Sequence, residues 1–277
     1  MPLASLDRVL DQLPTAYAGP GGAVAVVKDG ALVAERCWGF ADVEARSPFT
    51  RDTLFRVCSI TKQFVCGTLI ASGTAPSDLD GPLRQTMPRL AGEVPSVLHL
   101  MHNQSGLRDY WALAMLCGAT VERTFGPVES QQLIGRTRSL HFSPGTRYSY
   151  CNQNFRIVGE LLESRFGESL ETLMRRHLWE PAGMSSARLA PYTETLPGGA
   201  VGYEGTVQTG FRAAVNRITW TGDAGMAATL SDMVGWERYI DRTRDDPHAV
   251  YSKLSTPVTF ADGKSASYGF GLQRLNF

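Results

Sequence analysis

Residues 57–64 read VCSITKQF, where a serine precedes a lysine by three positions. From Ser59 onward, apolar residues follow at helical spacing up to Gly73, which predicts a helix. Side chains three apart on a helix lie side by side. The pair Ser59 and Lys62 therefore allows two interpretations: a nucleophile with its base, or a helix cap beside a surface lysine.

A nucleophile with its base is chemically reasonable, although the Ser/Lys spacing is only a weak sign of it. A serine hydroxyl becomes a good nucleophile only when a neighbour accepts its proton. A lysine can accept that proton only in its neutral form, which desolvation or nearby positive charge favours. At the first turn of a helix, free N–H groups can help to hold an oxyanion. About one such Ser/Lys pair is expected by chance in a chain of this length, so the spacing alone favours the cap.

A second polar motif is Tyr150-Cys151-Asn152, in a turn before a helical pattern. A phenol beside a lysine can act as the general base or share that role, and an asparagine amide offers a substrate amide both a donor and an acceptor. The same residue types are also common in turns with an Asx-type cap. This motif alone therefore does not distinguish a catalytic role from a structural turn.

The composition is that of an ordinary globular protein with room for one large domain or two small ones. Lys plus Arg equals Asp plus Glu, 27 against 27, which gives no electrostatic footprint for nucleic acid or an anionic membrane surface. The N-terminus has the pattern of an amphipathic surface helix, not of a signal peptide, and no segment approaches the length of a transmembrane span. Five cysteines without a CxxC pair indicate a reducing, cytoplasmic setting.

The local patterns predict a mixed α/β arrangement. Asp29-Gly30 joins two β-rich runs and predicts a hairpin. The middle of the chain is mostly helical, with Ser169 as a cap, and a later helix opens at Thr229. The last stretch, residues 265–277, has the pattern of the start of one strand.

Other known site types find little support. His99 and His102 are three apart, but no Cys, Asp or Glu lies near them at ligand spacing, so we expect packing or capping roles. Ser105-Gly106 lacks the flanking glycine of a nucleophile elbow. No phosphate-cradling glycine loop is present.

Five further stretches have to be considered together: DTLFRVCSITKQF (52–64), LMHNQSGLRDY (100–110), SPGTRYSYCN (143–152), LWEPAGM (178–184) and GDAGMAATLSDM (222–233). In this order they resemble the penicillin-recognising serine hydrolases, which include class C β-lactamases, D-Ala-D-Ala carboxypeptidases and related esterases. Within that family the similarity is tightest to the bacterial D-stereospecific aminopeptidases, and it extends from about Gly19 to the C-terminus.

The resemblance implies an α/β (α+β) fold of the β-lactamase/transpeptidase type. In that fold an antiparallel sheet is flanked by helices and carries an inserted all-helical lobe. We therefore expect a single catalytic domain over residues 1–277. Its α/β lobe would comprise about residues 1–62 and 205–277, and its helical lobe about residues 63–204.

The resemblance also implies roles for four residues. Ser59 would be the acylated nucleophile, Lys62 and Tyr150 would share proton transfer, and Asn152 would orient the carbonyl or amide of the substrate. The reaction would release N-terminal D-amino acids such as D-alanine from small peptides, amides or esters. The family uses no metal or organic cofactor, so we expect none, and we expect neither a nucleic acid nor a membrane as partner.

One part of the family's pattern has no counterpart. The third motif, His-x-Gly or Lys-Thr-Gly, normally follows the segment that matches SYGFGL (267–272), and the sequence ends at Phe277 without it. We therefore expect a chain truncated before this motif, with an incomplete sheet and weak or no activity by itself. A complementing C-terminal segment or chain is the partner that this expectation implies.

Two alternatives stay open. One is a β-lactamase, DD-carboxypeptidase or esterase of the same family, which a comparison of D-alanine p-nitroanilide, nitrocefin and a short-chain ester would separate. The other is a truncated, non-catalytic penicillin-binding-like module, which would not depend on Ser59 for acylation.

Overall fold

The N-terminal part of the chain is a helix packed on a β-hairpin in the computed structural model, which describes residues 3–120, 126–217, 219 and 221–274. Helix α1 (Leu3–Ala16) lies against strands β1 (Gly21–Lys28) and β2 (Ala31–Asp42). Asp29 and Gly30 form the turn with φ values of 51° and 74°. The predicted hairpin is confirmed, because both turn positions need this left-handed backbone.

The remaining strands are short, and all of them pair antiparallel. Their bounds are β3 (Ser47–Pro48), β4 (Phe55–Arg56), β5 (Arg188–Leu189), β6 (Tyr203–Thr206), β7 (Gly210–Ala213), β8 (Met226–Ala228), β9 (Val258–Thr259), β10 (Ser265–Ala266), β11 (Tyr268–Gly269) and β12 (Leu272–Gln273). Within the described residues, one sheet has the order β1-β2-β3, a second has the order β4-β8-β5, and three further pairs are β6-β7, β9-β10 and β11-β12.

Helices occupy the middle of the chain and return after β8. Within the described ranges, none is both long and apolar enough to cross a membrane. Their bounds are α2 (Thr61–Ala71), α3 (Asp80–Thr86), α4 (Val97–Met101), α5 (Tyr110–Leu116), α6 (Pro127–Gly135), α7 (Asn152–Phe166), α8 (Leu170–Met174), α9 (Glu180–Ala182), α10 (Leu230–Thr243) and α11 (Val250–Leu254).

The predicted helix caps are present. The Ser169 side chain accepts a hydrogen bond from the backbone of Thr172 at the start of α8. Thr229 accepts one from the backbone N–H of Asp232 at the start of α10. Each cap satisfies an N–H group that has no acceptor within its own helix, which explains why both helices begin where they do.

Helix α2 lies at the centre of the fold. Nine of its eleven residues are buried, and it contacts α7, α8 and α11. The ring of Phe64 packs on Trp236 of α10, with a distance of 4.8 Å between ring centroids. Because burial extends around the whole helix, Lys62 is also enclosed and is only 1% exposed.

The predicted strand near the C-terminus is interrupted by a tight turn. Phe270 and Gly271 have φ values of 51° and 77°, so the chain folds back between β11 and β12. A Cβ atom at Gly271 would lie 2.7 Å from the carbonyl atoms of Lys62. Glycine is therefore required at this position both by the backbone conformation and by the close approach of the turn to α2. Residues 275–277 of the predicted strand lie outside the described residues.

The buried imidazole of His102 makes stability depend on pH. His102 packs edge-to-face on Phe270, with 4.5 Å between ring centroids, and burial lowers its pKa from 6.5 to about 4. The unfolded chain therefore binds a proton between these two pH values that the folded chain does not bind. We expect the free energy of unfolding to fall by about 3 kcal/mol from this group as the pH falls from above 6.5 to about 4.

Urea unfolding at about pH 7 and about pH 4.5 checks this expectation. The variant His102→Gln should lose less stability on acidification than the wild type, although it starts from a lower value. An equal loss in the two proteins would show that His102 does not carry this pH dependence.

Candidate active site

Ser59 and Lys62 lie at the start of α2, on opposite sides of the boundary between surface and interior. Ser59 belongs to a 3₁₀ turn, Cys58–Ile60, that leads into the helix. All three residues of this turn are exposed, whereas Lys62 is buried. The hydroxyl of Ser59 is thus open to a substrate, and the amine below it is shielded from bulk water.

The Lys62 amine has three oxygen neighbours at hydrogen-bond distance. Nζ lies 3.0 Å from Ser59 Oγ, 2.9 Å from Asn152 Oδ1 and 2.6 Å from the backbone oxygen of Asp223. A protonated amine can donate to all three. A neutral amine keeps two N–H donors and one lone pair, so it can still donate to Asn152 and Asp223 while the Ser59 hydroxyl donates to Nζ. The arrangement accommodates both states that a proton acceptor must pass through.

Tyr150 reaches the same hydroxyl from the loop before α7. Its phenol donates to Ser59 Oγ at 2.7 Å. The Tyr150 ring centroid lies 5.0 Å from Lys62 Nζ, and the Phe155 ring centroid lies 5.5 Å from it. The amine is therefore bordered by aromatic rings, which interact favourably with its charged form.

Asn152 is the first residue of α7, and both ends of its carboxamide are engaged. Oδ1 accepts from Lys62, while the backbone N and Nδ2 both donate to Asp109 Oδ2, at 2.6 Å and 3.0 Å. Since Nδ2 carries two hydrogens, a contact with a substrate has to use the second one.

A buried asparagine, Asn103, holds the Tyr150 loop in place. Asn103 adopts φ 54°, and its Oδ1 accepts from the Cys151 backbone at 3.1 Å and from Asn154 Nδ2 at 3.0 Å. Its backbone oxygen accepts from the Ser149 N–H at 3.0 Å. The positions on either side of Tyr150 are thus fixed by one residue from another part of the chain.

Asp223 is held from its side-chain end. It is 1% exposed, and its Oδ2 accepts from the Tyr110 phenol at 2.9 Å. Burial, and then the Asp223 charge, raise the pKa of Tyr110, so this phenol stays a hydrogen-bond donor. Asp223 thus accepts from Tyr110 with its side chain and from Lys62 with its backbone oxygen.

Arg56 and Tyr192 support the flank of the site next to Ser59. The Arg56 guanidinium lies 4.7 Å from the Tyr192 ring centroid and donates to the backbone oxygens of Ala190 and Glu194, both at 2.7 Å. The Tyr192 phenol donates to Cys58 Sγ at 3.4 Å. One arginine therefore ties the segment around residues 190–194 to the turn that carries Ser59.

The structure brings all four predicted residues into one chain of contacts. Three further contributors were not singled out in the sequence: Asn103, Asp109 and the backbone oxygen of Asp223. Glycines with positive φ on both sides of Asp223, Gly222 and Gly225, could have indicated an unusual backbone there. Nothing in the sequence indicated which atom that backbone would present.

His99 and His102 have structural roles, as expected. His99 Nδ1 accepts from the Ser96 backbone at the start of α4 at 3.2 Å. Among the described residues, no group of three or more His, Cys, Asp or Glu side chains is placed to hold a metal ion. A cavity of about 630 Å³ at the far end of α2, lined by Leu69, Lys253 and Phe270 among others, includes none of the four predicted site residues.

Known proteins resemble this chain along nearly its whole length. Residues 6–276 match the Beta-lactamase family. D-aminopeptidase from Gluconobacter oxydans (strain 621H) is 54% identical over 271 residues, which are 98% of this chain and 52% of that protein. D-aminopeptidase from Brucella anthropi is 48% identical with the same coverage. The chain thus spans about half the length of the curated relatives that it matches.

Solved structures share the fold at lower identity. The octameric penicillin-binding protein homologue from Pyrococcus abyssi superposes with a TM-score of 0.78 at 24% identity, covering 98% of this chain and 65% of that one. D-amino acid amidase from Ochrobactrum anthropi SV3, complexed with L-phenylalanine amide, gives 0.72 at 22% identity, with 99% and 80% covered. The predicted β-lactamase/transpeptidase-like fold class and the family resemblance are both confirmed.

The cysteines should divide sharply in their reaction with iodoacetamide. Cys58 and Cys117 are exposed, whereas Cys66 and Cys151 are buried, and burial raises the pKa of both buried thiols. We expect native protein to be labelled at the exposed pair and the buried pair to react only after unfolding, because the thiolate is the reactive form. Peptide mass mapping before and after denaturation measures this.

The variant Cys58→Ser serves as the control, since its labelling pattern should differ from that of the wild type at one peptide only. Labelling of Cys66 in the native protein at the rate of Cys58 would contradict the burial described for α2.

Proposed function

This chain belongs to the beta-lactamase family, and from that premise we propose that it acts as a serine hydrolase that releases N-terminal D-amino acids from peptides, amides or esters. The observation that carries the proposal is the pair of contacts on Ser59 Oγ, 3.0 Å to Lys62 Nζ and 2.7 Å to Tyr150 Oη. The substrate class comes from relatives at 54% and 48% identity that are D-aminopeptidases.

Acylation begins with attack of Ser59 Oγ on the substrate carbonyl carbon. The hydroxyl proton passes to the neutral Lys62 amine, which becomes an ammonium group. The N–H groups of Ile60 and Thr61 already donate to the backbone oxygens of Val57 and Cys58. The negative oxygen of the tetrahedral intermediate is therefore stabilised at the start of α2 by the positive end of the helix dipole. The bond to the leaving group then breaks.

Tyr150 completes proton transfer on the leaving-group side. Its phenol donates a hydrogen bond to Ser59 Oγ and is partly exposed. It is therefore close to the point where the leaving nitrogen or oxygen separates from the carbonyl carbon. The leaving group takes a proton from the Tyr150/Lys62 pair, and Ser59 is left as an ester of the D-amino acid. A water molecule then attacks this ester, gives its proton to the same pair, and the bond to Ser59 Oγ breaks as that oxygen regains a proton.

Several predictions about the wider protein belong to this proposal. Asn152 would orient the carbonyl or amide of the substrate through the second hydrogen of Nδ2.

The chain would divide into an α/β lobe at about residues 1–62 and 205–277 and a helical lobe at about 63–204. The five free cysteines support the reducing, cytoplasmic setting. A complementing C-terminal segment or chain stays a prediction.

Steady-state kinetics with D-alanine p-nitroanilide, its L enantiomer and nitrocefin test the proposal. We expect release of p-nitroaniline from the D enantiomer in preference to the other two. The Ser59→Ala variant should lose about 10⁴-fold or more in kcat, since removal of a nucleophile leaves only binding and oxyanion stabilisation.

The exposed serine variant Ser77→Ala is the matched control and should keep wild-type rates. Preference for nitrocefin would identify a β-lactamase instead. Hydrolysis undiminished by Ser59→Ala would contradict the assignment of the nucleophile.

A further inference from the structure

Asp109 lies just before α5, and its carboxylate collects three N–H donors. Its Oδ2 accepts from the Asn152 backbone N at 2.6 Å and from Asn152 Nδ2 at 3.0 Å, and its Oδ1 accepts from the Ala112 backbone N at 3.0 Å. Two of the three donors belong to one residue of the candidate active site. Hydrogen bonds to a carboxylate are stronger than those between neutral groups, so this contact fixes Asn152 firmly.

The contact decides which way the Asn152 carboxamide faces. An asparagine amide can turn by half a rotation with almost no change of shape, and only its partners distinguish the oxygen from the nitrogen. An ionised carboxylate accepts hydrogen bonds and cannot donate them, so Nδ2 must face Asp109. Oδ1 then faces Lys62 Nζ, at 2.9 Å.

We propose that Asp109 is a positioning residue for the reaction, acting through Asn152 on Lys62; the inference rests on the function proposed above for Ser59 and Lys62. Asp109 orients one of the three acceptors around the buried amine. Without the carboxylate, the carboxamide is free to turn and to present Nδ2, a donor, to an amine that needs an acceptor there. The amine then loses its alignment with Ser59 Oγ.

The same carboxylate also holds two helices. The Cys151 side chain at the start of α7 makes no capping hydrogen bond, and Asp109 supplies the acceptor for the first N–H group of that helix. Asp109 is itself the N-cap of α5. A variant at this position therefore loses stability as well as alignment, and the experiment has to separate the two effects.

A double-mutant cycle of Asp109→Asn and Asn152→Ala separates them. The carboxamide introduced by Asp109→Asn has one acceptor oxygen instead of two, so it cannot serve both Ala112 and the Asn152 pair. With active sites counted by a serine-directed acylator, we expect Asp109→Asn to lower kcat about 10- to 100-fold, as small misplacements of catalytic groups do. We expect KM to change less than about 3-fold, because binding contacts stay in place.

The effect of Asp109→Asn in the Asn152→Ala background tests the inference directly. In the Asn152→Ala background, Asp109→Asn should change kcat by less than about 3-fold, because the residue through which it acts is gone. An equal loss of kcat in both backgrounds would overturn the proposal, since a purely structural effect is additive. Ser169→Ala, which removes the N-cap of α8 away from the site, should lower the unfolding midpoint and leave kcat per active site unchanged.

A crystal structure of the full chain carrying Asp109→Asn tests the same inference without turnover. We expect Asn152 Oδ1 to lie beyond about 3.5 Å from Lys62 Nζ, outside hydrogen-bond distance. An Asn152 carboxamide that keeps its contact with Lys62 would overturn the proposal. Failure of the proposed function would be seen differently, as a wild-type protein whose Ser59 is not acylated by a D-alanine ester.

Discussion

The enclosure of the Lys62 amine is the constraint on which the candidate site depends. A buried amine without hydrogen-bond acceptors would be strongly destabilising, so the fold has to bring oxygens to it. It does so from three separate parts of the chain: Ser59 before α2, Asn152 at the start of α7, and the Asp223 backbone before β8. The contacts that satisfy the lysine are therefore the contacts that assemble the site. The Lys62 amine is thus both the buried group that the fold has to provide with acceptors and the proposed proton acceptor for Ser59.

Local features of the fold could be predicted from the sequence because local physics determines them. Asp29-Gly30 predicts its hairpin since few other residues accept positive φ at both turn positions, and Ser169 and Thr229 predict helix starts by their side-chain oxygens. The interruption at Phe270-Gly271 could not be predicted in the same way. It depends on the approach of the turn to α2, which involves residues some two hundred positions away in sequence.

The residues of the candidate site also fall into two groups, those that could be predicted from the sequence and those that could not. Ser59, Lys62, Tyr150 and Asn152 could be named because their side-chain chemistry and spacing match a known family's motifs. Asp109 and the Asp223 oxygen could not, because each contributes through a contact fixed by tertiary structure: a carboxylate that spans two helices, and a carbonyl turned inward between glycines. The geometry supports acyl transfer to a serine, whereas the proposed preference for D-amino acids rests on the D-aminopeptidases that resemble this chain, which are about twice as long.

The acyl-enzyme itself is the most direct object of measurement. The protein would be mixed with a D-alanine ester, quenched in acid within seconds and digested, and the peptides would be fragmented in the mass spectrometer. We expect the mass of a D-alanyl group on Ser59. The adjacent thiol of Cys58 is the competing acceptor, so the same adduct should form in the Cys58→Ala variant. An adduct on Cys58 in place of Ser59, or ester turnover with no adduct on the Ser59 peptide, would contradict the assignment of Ser59 as the nucleophile.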